Sequence, residues 1–184
     1  MTSTHGAIRR LGTGELSEAE TAEIRAILRA AFEGDGEGFT DEDWRHATGG
    51  AHFLLEDAGS LVAHAAVVER ELRAGDLPIR AGYVEAVATR PDSQHEGHGT
   101  RLMAAVQEHI RATYELGALS AARPGFYARL GWEPWQGPTA VRTATGSVRT
   151  PEDDDGIMIL TTPASPPFDR HALLSCPWRP GDVW

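Results

Sequence analysis

Apolar and polar positions change their period several times along this chain. Ile24, Ile27, Leu28 and Ala31 lie three or four apart, the spacing of an amphipathic helix. Ser17-Glu18-Ala19-Glu20 stands before them as a capping box, so the helix starts after Ser17 and stops near Gly34. Upstream, residues 1–14 are polar and glycine-rich, apart from a strand-like stretch around Ala7 to Leu11. Residues 34–41 form an acidic loop. A short helix from about Asp41 to Ala47 carries Trp44, and Gly49-Gly50 ends it.

Three strand-like runs follow: Ala51 to Glu56, Ser60 to about Leu72, and Pro78 to Arg90. The tight turn Asp57-Ala58-Gly59 joins the first two. From Gly97 to Leu116 the spacing is helical again, with Leu102, Met103, Val106, Ile110 and Thr113 on one face. Gly117 to Ser120 is a short strand. Pro124 to Leu130 is a short helix opened by a proline, whose missing N–H costs nothing there. Trp132 to Val141 and Gly156 to Thr162 read as strands, and residues 163–184 as an irregular Pro-rich tail. The pattern predicts a single α+β domain over 1–184, with one mixed, mostly antiparallel sheet flanked by helices.

Composition narrows the function. A chain of 184 residues with 41% hydrophobic content can bury one sizeable core. Asp and Glu number 27 against 17 Lys and Arg, a formal net charge of -10. That surface repels nucleic acid and anionic membranes. It suits a cationic substrate, or serves only solubility. Cys176 is the only cysteine, which excludes an internal disulfide. His52, His64, His95 and His98 have no metal-ligand spacing and read as structural or solvated, so no metal is expected. No charged segment followed by an apolar run opens the chain, and no apolar stretch is long enough to cross a bilayer. A cytoplasmic enzyme is the expectation.

The clearest candidate for chemistry is Gln94-His95-Glu96-Gly97-His98-Gly99, followed by Thr100, between a strand and a helix. Two glycines let the backbone approach a ligand, and the first N–H groups of the helix lack internal partners. Together they make an anion site suited to a pyrophosphate. A plain Gly-containing helix start is the alternative. There is no Gly-Lys-Ser/Thr, and Leu102 replaces the third glycine of the dinucleotide fingerprint, so both of those phosphate motifs are excluded.

Context adds more. The turn Q-x-x-G-x-G after the strand V-E-A-V-A-T-R-P resembles the coenzyme A pyrophosphate signature of GNAT acetyltransferases. Gly125-Phe126-Tyr127-Ala128-Arg129-Leu130-Gly131-Trp132 resembles the second signature of that superfamily. Further stretches narrow the likeness: Phe32-Glu33-Gly34-Asp35, Phe39 to Trp44, Gly82-Tyr83-Val84-Glu85, Tyr114 to Ser120, Trp132 to Thr139, Thr150 to Gly156, and Trp178 to Trp184. All are similar to the aminoglycoside 2'-N-acetyltransferases, and the closing G-D-V-W is the most distinctive.

The resemblance implies the GNAT fold and a dimeric enzyme that moves acetyl from acetyl-CoA to the 2'-amino group of aminoglycosides. Glu85 would match the family's water-linked general base and Tyr127 its general acid. Asp35, Ser120, Asp154, Asp182 and the terminal carboxylate of Trp184 would match its drug-binding groups. Gly36-Glu37-Gly38 is a short insertion in the acidic loop, so Glu37 is an alternative to Asp35.

The residues support these roles on their own terms. Glu85 lies mid-strand just before the anion turn, where a carboxylate can take a proton directly or through water; a solvated strand residue is its plainer reading. A backbone N–H near Val87 could polarise the thioester carbonyl. Tyr127, with an ordinary pKa of about 10, can protonate a departing thiolate, or simply pack beside Phe126. Three acidic clusters could meet substrate ammonium groups: Asp35 to Asp43, Glu152 to Asp155, and Asp182 with the C-terminus. The alternatives are acetylation of another amine, such as a different aminosugar, a polyamine or a protein N-terminus, and a non-catalytic acyl-CoA sensor.

Overall fold

A computed structural model of the chain describes residues 6–34, 36 and 38–184. They fall into two compact units, Met1–Val68 with Glu85–Val106, and Glu69–Val84 with Gln107–Trp184. Strands β3 (Ser60–Ala74) and β4 (Leu77–Thr89) and helix α3 (His98–Thr113) each contribute residues to both units.

In the first unit, β1 (Ile8–Gly12) pairs antiparallel with β2 (Ala51–Asp57), from Ile8 opposite Leu55 to Gly12 opposite Ala51. Strand β2 pairs antiparallel with β3 and shifts register at Leu55/Glu56. Helix α1 (Glu18–Ala31) begins at the expected capping box: Ser17 Oγ accepts from the Glu20 N–H, and the Glu20 carboxylate accepts from the Ser17 N–H at 2.8 Å. Its apolar stripe buries Ile24, Ile27 and Leu28 in one cluster with Leu54, Leu61 and Ala88. Each fully buried Leu or Ile contributes about 1.5–3 kcal/mol. Helix α2 (Asp41–His46) starts at a second capping box formed by Thr40 and Asp43. It presses Trp44 against the same cluster.

In the second unit the strand order is β6-β9-β5-β4-β3-β10-β7-β8. Here β5 is Leu116–Ser120, β6 Glu133–Pro134, β7 Thr139–Thr143, β8 Gly146–Arg149, β9 Ile157–Thr161 and β10 Leu174–Pro177. The pairs β6–β9, β9–β5, β3–β10 and β7–β8 are antiparallel, and β4 with β5 and β10 with β7 are parallel. Gly82 is required by space: a Cβ there would stand 2.5 Å from the Tyr114 ring. Helix α4 (Pro124–Ala128) follows β5.

The expected strands change in places. The strand predicted from Trp132 to Val141 is broken, because Pro134 and Pro138 cannot donate to a ladder. Between them the Gln136 N–H turns to the Arg170 carbonyl, and Gly137 packs on Ala172 so closely that a Cβ would meet its oxygen at 2.1 Å. The Pro-rich tail also holds a strand, β10, which the sequence pattern did not suggest. Among the described residues, no helix is long and apolar enough to cross a membrane.

Candidate active site

In the first unit, Glu85, Ala86 and Val87 are half-buried near the end of β4. Ala86 has φ of +51°, a left-handed conformation that a non-glycine residue rarely adopts. Such a residue interrupts the regular strand alternation and re-aims the peptides on either side of it.

The chain then turns through Pro91–Ser93 into the predicted anion loop. Gln94 Nε2 donates to the Thr89 carbonyl at 3.3 Å, which fastens the loop to the strand end. His95 and Gly97 both have positive φ, +66° and +84°. A Cβ at Gly97 would meet nothing within 4 Å, so the loop faces open space there. Helix α3 begins at His98, and Gly99 and the exposed Thr100 complete its first turn. Glu96 is 62% exposed, and its carboxylate lies 3.1 Å from His98 Nε2. His98 Nδ1 is buried and has no hydrogen-bond partner among the described residues. A loop with open space before a glycine, a helix start and an orphaned imidazole nitrogen fits a pyrophosphate-bearing co-substrate.

The second unit carries Tyr127 on α4. Its ring meets Phe126 and Trp132 edge-on, at 5.0 and 6.2 Å between centroids. Among the described residues no hydrogen bond engages its hydroxyl. Burial pushes the phenol up to about 12, so it stays protonated at any working pH. Ser120 is exposed at the end of β5. The Ala121 N–H that follows donates to Gly156 at 2.8 Å, which ties this corner to the acidic segment.

The acidic segment and the tail are brought together. Trp184 is 2% exposed, and its indole donates to Thr150 Oγ1 at 3.0 Å. Arg179 donates to the Asp182 carbonyl at 2.7 Å and to a terminal oxygen of Trp184 at 3.2 Å. Arg70 Nη2 donates to the Pro177 and Val183 carbonyls at 3.0 and 2.8 Å. These contacts place the exposed Asp182 near Asp153, whose carboxyl is raised by burial and then by the charges of Asp182 and Glu152. Asp154 is engaged within the chain: one oxygen accepts from the Thr139 N–H at 2.7 Å, the other from Arg149 at 2.8 Å. Asp43 is likewise engaged, with one oxygen accepting from the Thr40 N–H at 2.8 Å. Asp35 and its alternative Glu37 lie outside the described residues.

Sequence reasoning did not single out Asp153, Arg70 or Arg179, nor the contact between His52 and His64. The histidines read as structural or solvated; the rings of His52 and His64 are fully buried and bond each other at 2.9 Å between β2 and β3. Two histidines inside otherwise apolar strands were the signal available. Among the described residues no group of acidic, His or Cys side chains could hold a metal.

Comparison with known proteins gives the family and the fold. The family described as "Acetyltransferase (GNAT) domain" matches residues 13–135. An aminoglycoside 2'-N-acetyltransferase from Mycolicibacterium fortuitum is 46% identical over 180 residues, 96% of this chain and 91% of that one. Two solved structures show the fold. One is a GNAT family acetyltransferase from Brucella melitensis in complex with acetyl-CoA, with TM-score 0.61 and 20% identity over 89% of this chain and 92% of that one. The other is a GNAT family N-acetyltransferase from Escherichia coli in complex with CoA, with TM-score 0.64 and 15% identity over 94% of this chain and 89% of that one. With its glycine loop, its F-Y signature and its tail ending in G-D-V-W, this chain belongs to the aminoglycoside 2'-N-acetyltransferase family of GNAT acetyltransferases.

Proposed function

We propose that this enzyme acetylates the 2'-amino group of aminoglycoside antibiotics, using acetyl-CoA as donor. The observation that carries the substrate reading is the group formed by Asp153, Asp182 and Glu152. Burial and like charge raise the Asp153 carboxyl, so a cation placed there relieves repulsion as well as forming charge-assisted hydrogen bonds. An aminoglycoside presents several ammonium groups on a rigid frame and meets that need.

The roles follow from the residues. Acetyl-CoA supplies an activated acyl group and a thiolate leaving group. The loop from Gln94 to Thr100 holds its pyrophosphate on backbone N–H groups. The Val87 N–H donates to the thioester oxygen, where negative charge develops. Glu85 accepts the proton that the attacking amine gives up, through water. As the C–N bond forms and the C–S bond breaks, Tyr127 donates its phenolic proton to the sulfur. Ser120 and Asp182 orient the sugar, and the Asp35 loop adds a further carboxylate. Asp154 and Asp43, already bonded within the chain, act on substrate through the segments they brace. We place the enzyme in the cytoplasm as a homodimer, with drug resistance as its effect.

Thiol release from acetyl-CoA across an aminoglycoside panel, with mass spectrometry locating the acetyl group, tests this reading. Transfer to the 2'-amine is expected. Transfer only to linear polyamines or peptide N-termini would replace the substrate, and no transfer to any amine would leave an acyl-CoA-binding domain.

A further inference from the structure

A chain of hydrogen bonds runs through the first unit and ends at the strained peptide of β4. The Gly49 N–H lies 2.9 Å from Thr13 Oγ1, and Thr13 Oγ1 lies 2.9 Å from His52 Nε2. His52 Nδ1 is 2.9 Å from His64 Nε2, and His64 Nδ1 is 2.8 Å from the Ala86 carbonyl oxygen. The rings of His52 and His64 are 0% exposed, and Trp44 lies against both, at 5.6 and 6.4 Å between centroids.

Each proton in this chain has one consistent place. A carbonyl only accepts, so His64 Nδ1 carries a hydrogen and donates to Ala86. Burial disfavours the imidazolium, so His64 is neutral and its Nε2 accepts. His52 Nδ1 must then donate, and His52 Nε2 must accept. Thr13 therefore gives its hydroxyl hydrogen to His52 and accepts from the Gly49 N–H. All four links point one way, toward Ala86.

Ala86 C=O and Val87 N–H belong to one peptide unit. The chain has no cis peptide bonds among its described residues, so the two groups point in opposite directions. Holding the carbonyl on one side fixes the direction of the N–H on the other. Ala86 at φ +51° sits in a sparsely populated well and needs its surroundings to keep it there. The donated hydrogen bond also polarises the peptide and strengthens the Val87 N–H as a donor.

We propose that His64, braced by His52 and Thr13, is a positioning residue that aims the Val87 N–H at the thioester carbonyl oxygen of the acyl donor. The assignment rests on the acetyl-transfer reading given above. The histidines touch neither substrate. Their effect reaches the reaction through one peptide plane, in which the Val87 donor is needed most when charge builds on the oxygen.

Three substitutions separate this role from simple packing. His64→Asn keeps a donor at the place of Nδ1 and loses the reach to His52. His64→Gln keeps an acceptor for His52 and loses the donor to Ala86. His64→Leu keeps the bulk and removes both. Positioning predicts that His64→Asn stays within about threefold of the parent kcat, while His64→Gln and His64→Leu lose about 10- to 100-fold, less than the full loss of an oxyanion donor. The KM for acetyl-CoA should change little in all three. If His64 only packs, kcat is unchanged in every soluble variant or falls with thermal stability, and the Asn variant, which leaves the largest gap, is worst. The Val87 amide resonance gives a second readout that needs no turnover. Adding acetyl-CoA should shift it in the parent and in His64→Asn, and much less in the Gln and Leu variants. Equal shifts in all four proteins overturn the proposal. A parent protein that acetylates no amine but still shows the ordered Val87 response overturns the functional reading alone.

Discussion

The C-terminal tryptophan gives the sharpest test of how the tail is built. Trp184 is 2% exposed, and its indole donates to Thr150 Oγ1. Trp184→Ala removes the ring but leaves a terminal carboxylate on the same residue, so it tests burial and not charge. A buried Trp→Ala change costs about 3–5 kcal/mol once the residual cavity is included. Trp184→Phe keeps most of the apolar area, loses one hydrogen bond of about 0.5–1.5 kcal/mol and leaves a smaller gap, so about 1–2 kcal/mol is expected. With a urea slope of about 2 kcal/mol per M, the midpoint should fall by about 2 M for Ala and about 1 M or less for Phe. Urea unfolding followed by tryptophan fluorescence and far-UV circular dichroism reads both. Final residues of most domains fray and contribute almost nothing. A midpoint within about 0.2 M of the parent for the Ala variant would mean that Trp184 is such an end, and the packing argument for the tail would fail.

Three more outcomes are expected. Tyr127→Phe should lower kcat by about 10- to 1000-fold with little change in either KM, if the phenol protonates the leaving sulfur; parental kcat would assign that proton to water. Gly97→Val should raise the KM for acetyl-CoA, because its side chain enters the open space before the loop. It should also destabilise the protein by about 1–2 kcal/mol, because a β-branched residue must adopt φ of +84°; an unchanged KM in the folded variant would remove the loop from the site. Finally, burial lowers His52 to about 4 and His64 to about 3. From the unfolded value of about 6.5 down to those values, the unfolded chain binds protons that the folded chain refuses. Stability should therefore fall as pH falls through that window, by up to about 1.4 kcal/mol per pH unit for each histidine. Unfolding free energy that is level from pH 7 to 4.5 would contradict neutral, buried rings.

Much of the fold was legible because its signals are local. The Ser17–Glu20 box, the stripe Ile24, Ile27 and Leu28, and the spacing of Leu102, Val106 and Ile110 depend only on neighbours in sequence, and the helices lie where they indicate. Strand β10 was not legible. Its Leu-Ser-Cys-Pro is too short to show alternation, and its stability comes from strands about 35 and 100 residues away in the chain. Strand β8 was missed for a related reason: all four of its residues are exposed, so burial leaves no period in them. The loop Gln94–Gly99 could be picked out because phosphate binding needs glycines at fixed offsets. The engagement of Asp154 by Thr139 and Arg149 could not, since a run of four acids gives no sign of which one is bonded within the chain. The histidine chain was hidden in the same way, because adjacent strands bring together residues twelve positions apart.

The place of β10 has a consequence for synthesis. Strands β3 and β7 are completed well before the segment that lies between them, Leu174–Pro177, leaves the ribosome. Until then each presents an unpaired edge with backbone donors and acceptors facing solvent, the arrangement that recruits other strands. The second unit can therefore complete its sheet only once β10 is available, and the wait exposes its nascent form to aggregation. Truncation before Leu174 would make that exposure permanent, because it removes Leu174–Pro177.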